Sequence, residues 1–254
     1  MSHRLRVERD GVLLRVAMAR PKQRNAFDAA LIDELAAAFA DVGDARCVLL
    51  TGDGQSFSAG ADVEWMRSSV DLTYDENVAD ALRLRTMLEA IDDCPAPVVA
   101  RVQGHALGGG CGLVACSDIV IAEPGAEFAF SEVKLGIVPA VISPFALAKI
   151  GSGAARRYFV TGERFSAEVA LRIGLVHEVA DDLDGAVARV VAELLSAGPE
   201  ATRTAKRLAR RVHSAEETAE LIARHRTSDE GQEGLRAFLE KRPPAFRVGG
   251  RGSL

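Results

Sequence analysis

The sequence predicts an α/β core with buried strands, followed by a helical C-terminal segment. Three observations point there. The first half reads β, β, α, β, α, β, α, β, and its strands are too continuously apolar for a half-exposed sheet. From about Gly151 onward the texture changes, and only residues 176–179 still read as a strand. The remainder carries apolar residues at helical spacing.

The elements follow in order. Residues 5–8 and 12–18 read as strands joined by Asp10-Gly11, a strong hairpin turn signal. Residues 28–42 place Leu31, Leu35, Ala38, Phe39 and Val42 on one helical face. Residues 47–50 form a short buried strand running into Thr51-Gly52-Asp53-Gly54. A helix is expected over 75–92, with Leu82, Leu84, Leu88 and Ile91 facing inward. Residues 97–102 are the next strand, then a glycine-rich loop, a helix to Cys116 and a strand over 119–122. Four helices are expected at 183–196, 199–212, 215–226 and 229–241. Residues 249–254 read as a frayed tail.

Composition narrows the function classes. The chain has 254 residues, 48% hydrophobic and 26% charged, with a formal net charge of -5. That suffices for a substantial core. A mildly acidic balance argues against nucleic acid or an anionic membrane as partner. The first six residues lack the apolar run of a signal peptide, and no stretch reaches the length of a membrane span. Cys47, Cys94, Cys111 and Cys116 form no C-x-x-C pair. They are expected to be reduced, buried packing residues in a cytoplasmic protein.

Two small-residue loops carry the functional signal. One runs Ser56-Phe57-Ser58-Ala59-Gly60-Ala61-Asp62, the other Gly104-His105-Ala106-Leu107-Gly108-Gly109-Gly110-Cys111-Gly112. Each links a strand to a helix, so each can aim a backbone N–H toward one shared point. Two such donors suit a developing oxyanion. Neither nucleotide-loop pattern is met: the run holds no G-x-G-x-x-G, and the chain no G-x-x-x-x-G-K-[ST]. A single acid, Glu132, follows. Phe128, Ala129, Phe130 and Val133 flank it, which predicts partial burial and a raised pKa. The combination reads as carbonyl activation plus proton transfer.

Six collinear motifs extend this reading. They are residues 20–27 (RPKQRNAF), 57–63 (FSAGADV), 104–110 (GHALGGG), 131–139 (SEVKLGIVP), 161–165 (TGERF) and 238–246 (FLEKRPPAF). Together they make the chain similar to the enoyl-CoA hydratase/isomerase (crotonase) superfamily. The resemblance implies a crotonase-like spiral of ββα units over 1–195, with a helical C-terminal trimerisation region over 196–254. It implies an acyl-CoA thioester substrate and a homotrimer or dimer of trimers. No cofactor would be bound permanently, coenzyme A being part of the substrate. By resemblance the catalytic groups are Glu132 and the N–H groups of Ala61 and Gly109. Substrate and coenzyme A contacts fall on Arg24, Ala59, Gly60, Ala61, Asp62, Val63, Gly108, Gly109, Gly112 and Lys241.

One departure matters. Two-acid hydratases carry a glutamate two residues after the glycine triplet, where this chain has Gly112. Three readings follow: a hydratase, an isomerase using Glu132 as sole proton shuttle, and a non-catalytic acyl-CoA-binding protein. Gly112, the segment 139–146 (PAVISPFA), Glu163-Arg164 and Val176-His177-Glu178-Val179 resemble bacterial methylglutaconyl-CoA and isohexenylglutaconyl-CoA hydratases. That implies a branched or carboxylated acyl group, with Gly112 freeing space for it.

The remaining polar features have blander readings. Arg203, Lys206, Arg207, Arg210 and Arg211 form a cationic stripe. It suits a salt-bridged face better than coenzyme A phosphates, and nucleic acid least. His105 reads as a satisfied loop histidine. His177-Glu178 lacks metal-site spacing, so no metal is expected. Trp65 and Met66 sit on a short helix where core packing and acyl-pocket lining are both open.

Overall fold

The computed structural model describes residues 4–248, so the expected tail at 249–254 lies outside them. Strands β1 (Leu5–Asp10) and β2 (Leu13–Met18) form the expected hairpin. From β2 onward the main sheet is parallel. It adds β3 (Cys47–Gly52), β4 (Val98–Val102), β6 (Ile119–Ala122) and β9 (Glu178–Val179) in that spatial order. The period-two alternation of strand side chains divides β3 between two cores. Val48 and Leu50 join the large core, while Cys47 and Leu49 pack on a smaller cluster under α7 (Leu183–Ser196).

A second, three-stranded sheet was not expected from the sequence. It comprises β5 (His105–Leu107), β7 (Glu127–Ala129) and β8 (Phe165–Ser166). Strands this short offer no periodicity to read. Single-residue bridges, Ser58 to Ala106 and Phe27 to Ala61, carry its pairing into the first small-residue loop.

Local signals place the helices. Asp28 caps α1 (Ala29–Ala40) by accepting from Leu31 N–H at 2.8 Å. Thr73 and Glu76 form a capping box on α3 (Tyr74–Asp92), which follows α2 (Val63–Ser69). Only the C-terminal half of α3 reaches the core, through Met87, Leu88 and Ile91. Leu82, expected to face inward, is 59% exposed. Helix α4 (Gly109–Cys116) is buried from Gly110 on. Helices α5 (Ser143–Thr161) and α6 (Ala167–Arg172) were not assigned from sequence; α5 bends at Gly151, where φ is +66°.

The C-terminal helices are α8 (Pro199–Leu208), α9 (Ala215–Thr227) and α10 (Asp229–Leu239). Helix α8 stops short of the expected 212, because a Ser214/Glu217 capping box starts α9 and the chain must turn before it. The cationic stripe is what docks α8. Lys206 pairs with Asp118 at 2.7 Å, and Arg210 with Asp92 and Asp93 at 3.2 and 2.6 Å. Arg203 donates to Ala45 O, Arg207 to Thr204 Oγ1, and Arg211 pairs with Glu217. All four cysteines are free and buried. Among the described residues no helix is long and apolar enough to cross a membrane.

Candidate active site

The two loops meet backbone to backbone. Phe27 N–H donates to Gly60 O at 2.7 Å, and Asp62 N–H donates to Phe27 O at 2.8 Å. In this parallel bridge Phe27 engages the residues flanking Ala61, so the Ala61 N–H faces away from Phe27. Gly60 has φ +86°, and a Cβ there would lie 2.6 Å from Leu107 O and 3.5 Å from Gly109 N. Only glycine permits that approach. Gly109 opens α4, where N–H groups lack an acceptor within the helix and the helix field is positive. Its Cα backs onto Phe27, whose Cε2 would be 2.6 Å from an added Cβ.

A buttress of satisfied polar groups stands behind the loops. Asn25 is fully buried at φ +54°. Its Oδ1 accepts from Arg20 N–H at 2.9 Å, and its Nδ2 donates to Asp53 O and Ser56 O at 2.9 and 2.8 Å. Ser58 Oγ donates to Asn25 O at 2.9 Å. Arg20 pairs with Asp62 at 2.9 Å and Asp28 at 3.3 Å. Asp62 also caps α2 by accepting from Glu64 N–H at 2.8 Å. Sequence reasoning missed Arg20 and Asn25 as positioning residues. The available signal was the asparagine itself, which tolerates a left-handed backbone and bonds its neighbours.

Glu132 follows β7 at the start of a single 3-10 turn, Glu132–Leu135. Its Oε1 lies 3.4 Å from where a Cβ on Gly108 would be. Its Oε2 is buried without a hydrogen-bond partner. Burial pushes the carboxyl pKa above its ordinary value, outweighing a local backbone hydrogen bond that lowers it. Apolar residues of the same cavity, among them Phe27, Leu135 and Ile137, share its lining with Glu132.

Ala61, Gly108, Gly109 and Glu132 line one cavity of about 360 Å³. Its walls are otherwise mostly apolar, including Trp65, Leu84, Val138 and Ile142. Trp65 lines this cavity and also packs against the core. No Lys or Arg of the described residues lines the cavity, whereas Asp80 joins Glu132 there. A larger groove of about 960 Å³ shares Ala59, Ala61, Trp65 and Met66 with it. Arg24, Asp62 and Val63 lie along this groove, with Arg4, Arg20 and Lys22. Arg4 and Arg20 are ion-paired, while Lys22 and Arg24 have no such partner among the described residues.

Two proposed contacts fall elsewhere. Gly112 lines neither cavity. A Cβ there would lie 2.7 Å from Ile142 Cγ2 and 3.4 Å from Leu88 Cδ2. The space expected to open at Gly112 is filled by Ile142, and it is Ile142 that faces the cavity. Lys241 follows α10 at φ +54° and lines neither cavity. His105 Nδ1 is 3.2 Å from Ser56 Oγ and its Nε2 3.4 Å from Glu127, so it is satisfied as expected, though at the start of β5 rather than in a loop. His177 Nδ1 accepts from Val120 N–H at 3.0 Å. Among the described residues no cluster of His, Cys, Asp and Glu could hold a metal ion.

Comparison with known proteins identifies the family and the fold. The family model for enoyl-CoA hydratase/isomerase matches residues 8–249. A crotonyl-CoA hydratase of Syntrophomonas wolfei is 33% identical over 255 residues, covering 94% of this chain and 96% of the relative. The crystal structure of an enoyl-CoA hydratase from Shewanella pealeana superposes with TM-score 0.90 at 40% identity, covering 96% of each chain. Pseudomonas aeruginosa AtuE superposes with TM-score 0.92 at 33% identity, covering 97% of this chain and 100% of the other. The expected crotonase-type α/β fold with a helical C-terminal region is the one observed.

Proposed function

Because this chain belongs to the enoyl-CoA hydratase/isomerase family, we propose that it adds water to an α,β-unsaturated acyl-CoA thioester in the Ala61–Gly109–Glu132 cavity. One observation carries this reading: an unpartnered, buried carboxylate shares a largely apolar cavity with two backbone donors. Water attack at the β-carbon pushes electrons onto the thioester carbonyl oxygen. The N–H groups of Ala61 and Gly109 stabilise that charge, each worth about 3 kcal/mol in a water-excluded site. Glu132 moves the proton between water and the α-carbon; burial keeps its pKa high enough for the task. The cationic groove beside Ala59 and Ala61 suits the coenzyme A phosphates, with Lys22 and Arg24 as its free charges.

The isomerase reading keeps one specific support. Ile142 and Leu88 occupy the position of the first acid, and moving a double bond needs a single proton carrier. For the acyl group, the lining favours an uncharged chain, branched or straight. A substrate carboxylate inside the cavity would meet Glu132 and Asp80 with no cation of the described residues beside it. Incubation with crotonyl-CoA, a 3-enoyl-CoA and 3-methylglutaconyl-CoA, following the conjugated thioester absorbance, separates these cases. Loss of absorbance with crotonyl-CoA supports hydration; a gain with the 3-enoyl-CoA alone supports isomerisation. Preference for 3-methylglutaconyl-CoA would restore the carboxylated substrate.

Assembly as a homotrimer or dimer of trimers belongs to the same reading. Ile222, Leu235, Phe238 and Leu239 expose apolar side chains on α9 and α10. Lys241 would then contact coenzyme A at a subunit boundary. Light scattering that returns the mass of one chain at micromolar concentration would reject the assembly.

A further inference from the structure

Helix α4 has two ends with different duties. Its first residue, Gly109, lines the cavity. Its last turn ends at Ser117, whose N–H donates to Leu113 O and Val114 O and whose Oγ donates to Leu113 O at 2.9 Å. Eight residues span about 12 Å, so the two ends are within electrostatic reach through a dry core.

Helix α5 runs beside α4. Ile142, at its start, fills the space at Gly112. Two turns later Lys149 projects to the far end of α4 and donates through Nζ to Ser117 O. Among the described residues the ammonium has no ion-pair partner. Asp118 Oδ2 is taken by Lys206 at 2.7 Å and by Val98 N–H at 2.8 Å. Asp92 pairs with Arg210 at 3.2 Å. His177 Nδ1 is taken by Val120 N–H, and burial keeps Cys116 a thiol. Among the described residues these five groups, Asp118, Asp92, Lys206, His177 and Cys116, are the titratable neighbours that face Lys149.

We propose that Lys149 is a positioning residue for the oxyanion site: its ammonium, bonded to the carbonyl of Ser117, the residue that caps α4, holds the helix whose other end presents Gly109 N–H. The inference rests on Ala61 and Gly109 being the oxyanion donors. A cation at a helix C-terminus stabilises the aligned peptide dipoles. Anchoring that end also fixes the direction of the N–H at the other.

Burial has a second consequence. It lowers the Lys149 pKa to about 8, so the charge is lost just above neutrality. The signs for stability and function then oppose each other. Between about 8 and the ordinary 10.5, the unfolded chain holds a proton that the folded chain lacks, so this group makes the fold more stable as pH rises. Activity should fall over the same range. A merely structural role would move both together.

The test uses the intact protein, Lys149→Met and Lys149→Arg. Two readouts are taken between about pH 7 and 9.5: kcat and KM with an enoyl-CoA, and binding of acetoacetyl-CoA as its enolate by ultraviolet difference spectra. The second needs no turnover. The native protein should lose about 3–10-fold in kcat and in enolate affinity across the alkaline limb, with thermal stability level or rising. Lys149→Met should be lower than the native protein by about that factor near pH 7, lack the alkaline limb and converge with the native protein toward pH 9.5, with KM little changed. Lys149→Arg should retain activity and move the limb upward, since a guanidinium stays charged. A native profile flat through this range, or a Lys149→Met protein with the native limb and kcat, overturns the proposal. If Lys149→Met does not fold, the native profile and Lys149→Arg still decide it. Enolate binding that follows Lys149 without hydration of any enoyl-CoA would reject the hydratase reading and keep this one. No enolate binding at all would reject both.

Discussion

Asp62 belongs to the first small-residue loop and Glu132 lies beside Gly108 of the second, and the fold treats the two acids in opposite ways. Asp62, in the buttress, has its carboxylate fully engaged by Arg20 and by the Glu64 N–H. Glu132, in the cavity, keeps a buried oxygen with no partner. The same contrast holds for backbone donors. Those around Asn25 are matched, while Gly109 N–H opens a helix without an acceptor in it. Polar groups that build the site are satisfied, and those proposed to act in it are left open for a substrate.

The largest effect that would test this contrast is at Glu132. Glu132→Gln should lower turnover by about 10²–10⁴-fold while acyl-CoA affinity persists. The fold should not suffer. Because burial raises this carboxyl's pKa, the native protein loses stability as pH rises from the ordinary 4.5 through the folded value. The amide removes that loss, so the variant should melt at the same temperature or higher at neutral pH. Native turnover, or a markedly lower melting temperature, would place Glu132 in the buttress class instead.

Asn25→Ala should show the reverse pattern. It removes three hydrogen bonds from a fully buried side chain, leaving their partners unmatched. The expected cost is about 2–4 kcal/mol in denaturant unfolding, with activity falling because the loops lose their brace. A stable, inactive variant would instead give Asn25 a direct role.

The contact between Gly112 and Ile142 sharpens the comparison on the cavity side. Gly112→Ala should destabilise by about 1–3 kcal/mol, since the added methyl meets Ile142 Cγ2. Combining it with Ile142→Ala should cost less than the sum of the two single changes, which a double-mutant cycle reads directly. Additive costs would mean that Ile142 does not fill the Gly112 space. The smallest effect is expected on the exposed end of the cationic stripe. Arg211→Ala should change stability by less than about 0.5 kcal/mol and leave activity alone, because its pair with Glu217 is solvated. A loss of acyl-CoA affinity there would revive a phosphate-binding role for the stripe.

Sequence by itself determined the elements whose signals are local. The hairpin at Asp10-Gly11, helix α1 behind Asp28 and helix α7 over Leu183–Ser196 rest on turn, cap and periodicity. The two loops and Glu132 were legible for a related reason: small residues and a lone acid among phenylalanines limit what a backbone can do there. Tertiary structure decided what depends on residues far apart in the chain. The three-stranded sheet is built from strands of two or three residues, too short to carry a pattern. The direction of the Ala61 N–H comes from a bridge to Phe27. Gly112 predicted open space, yet Ile142, thirty positions later, fills it. Lys149 lies on α5, which the sequence did not assign, and only the packing of α5 on α4 buried its charge beside the C-terminal end of α4.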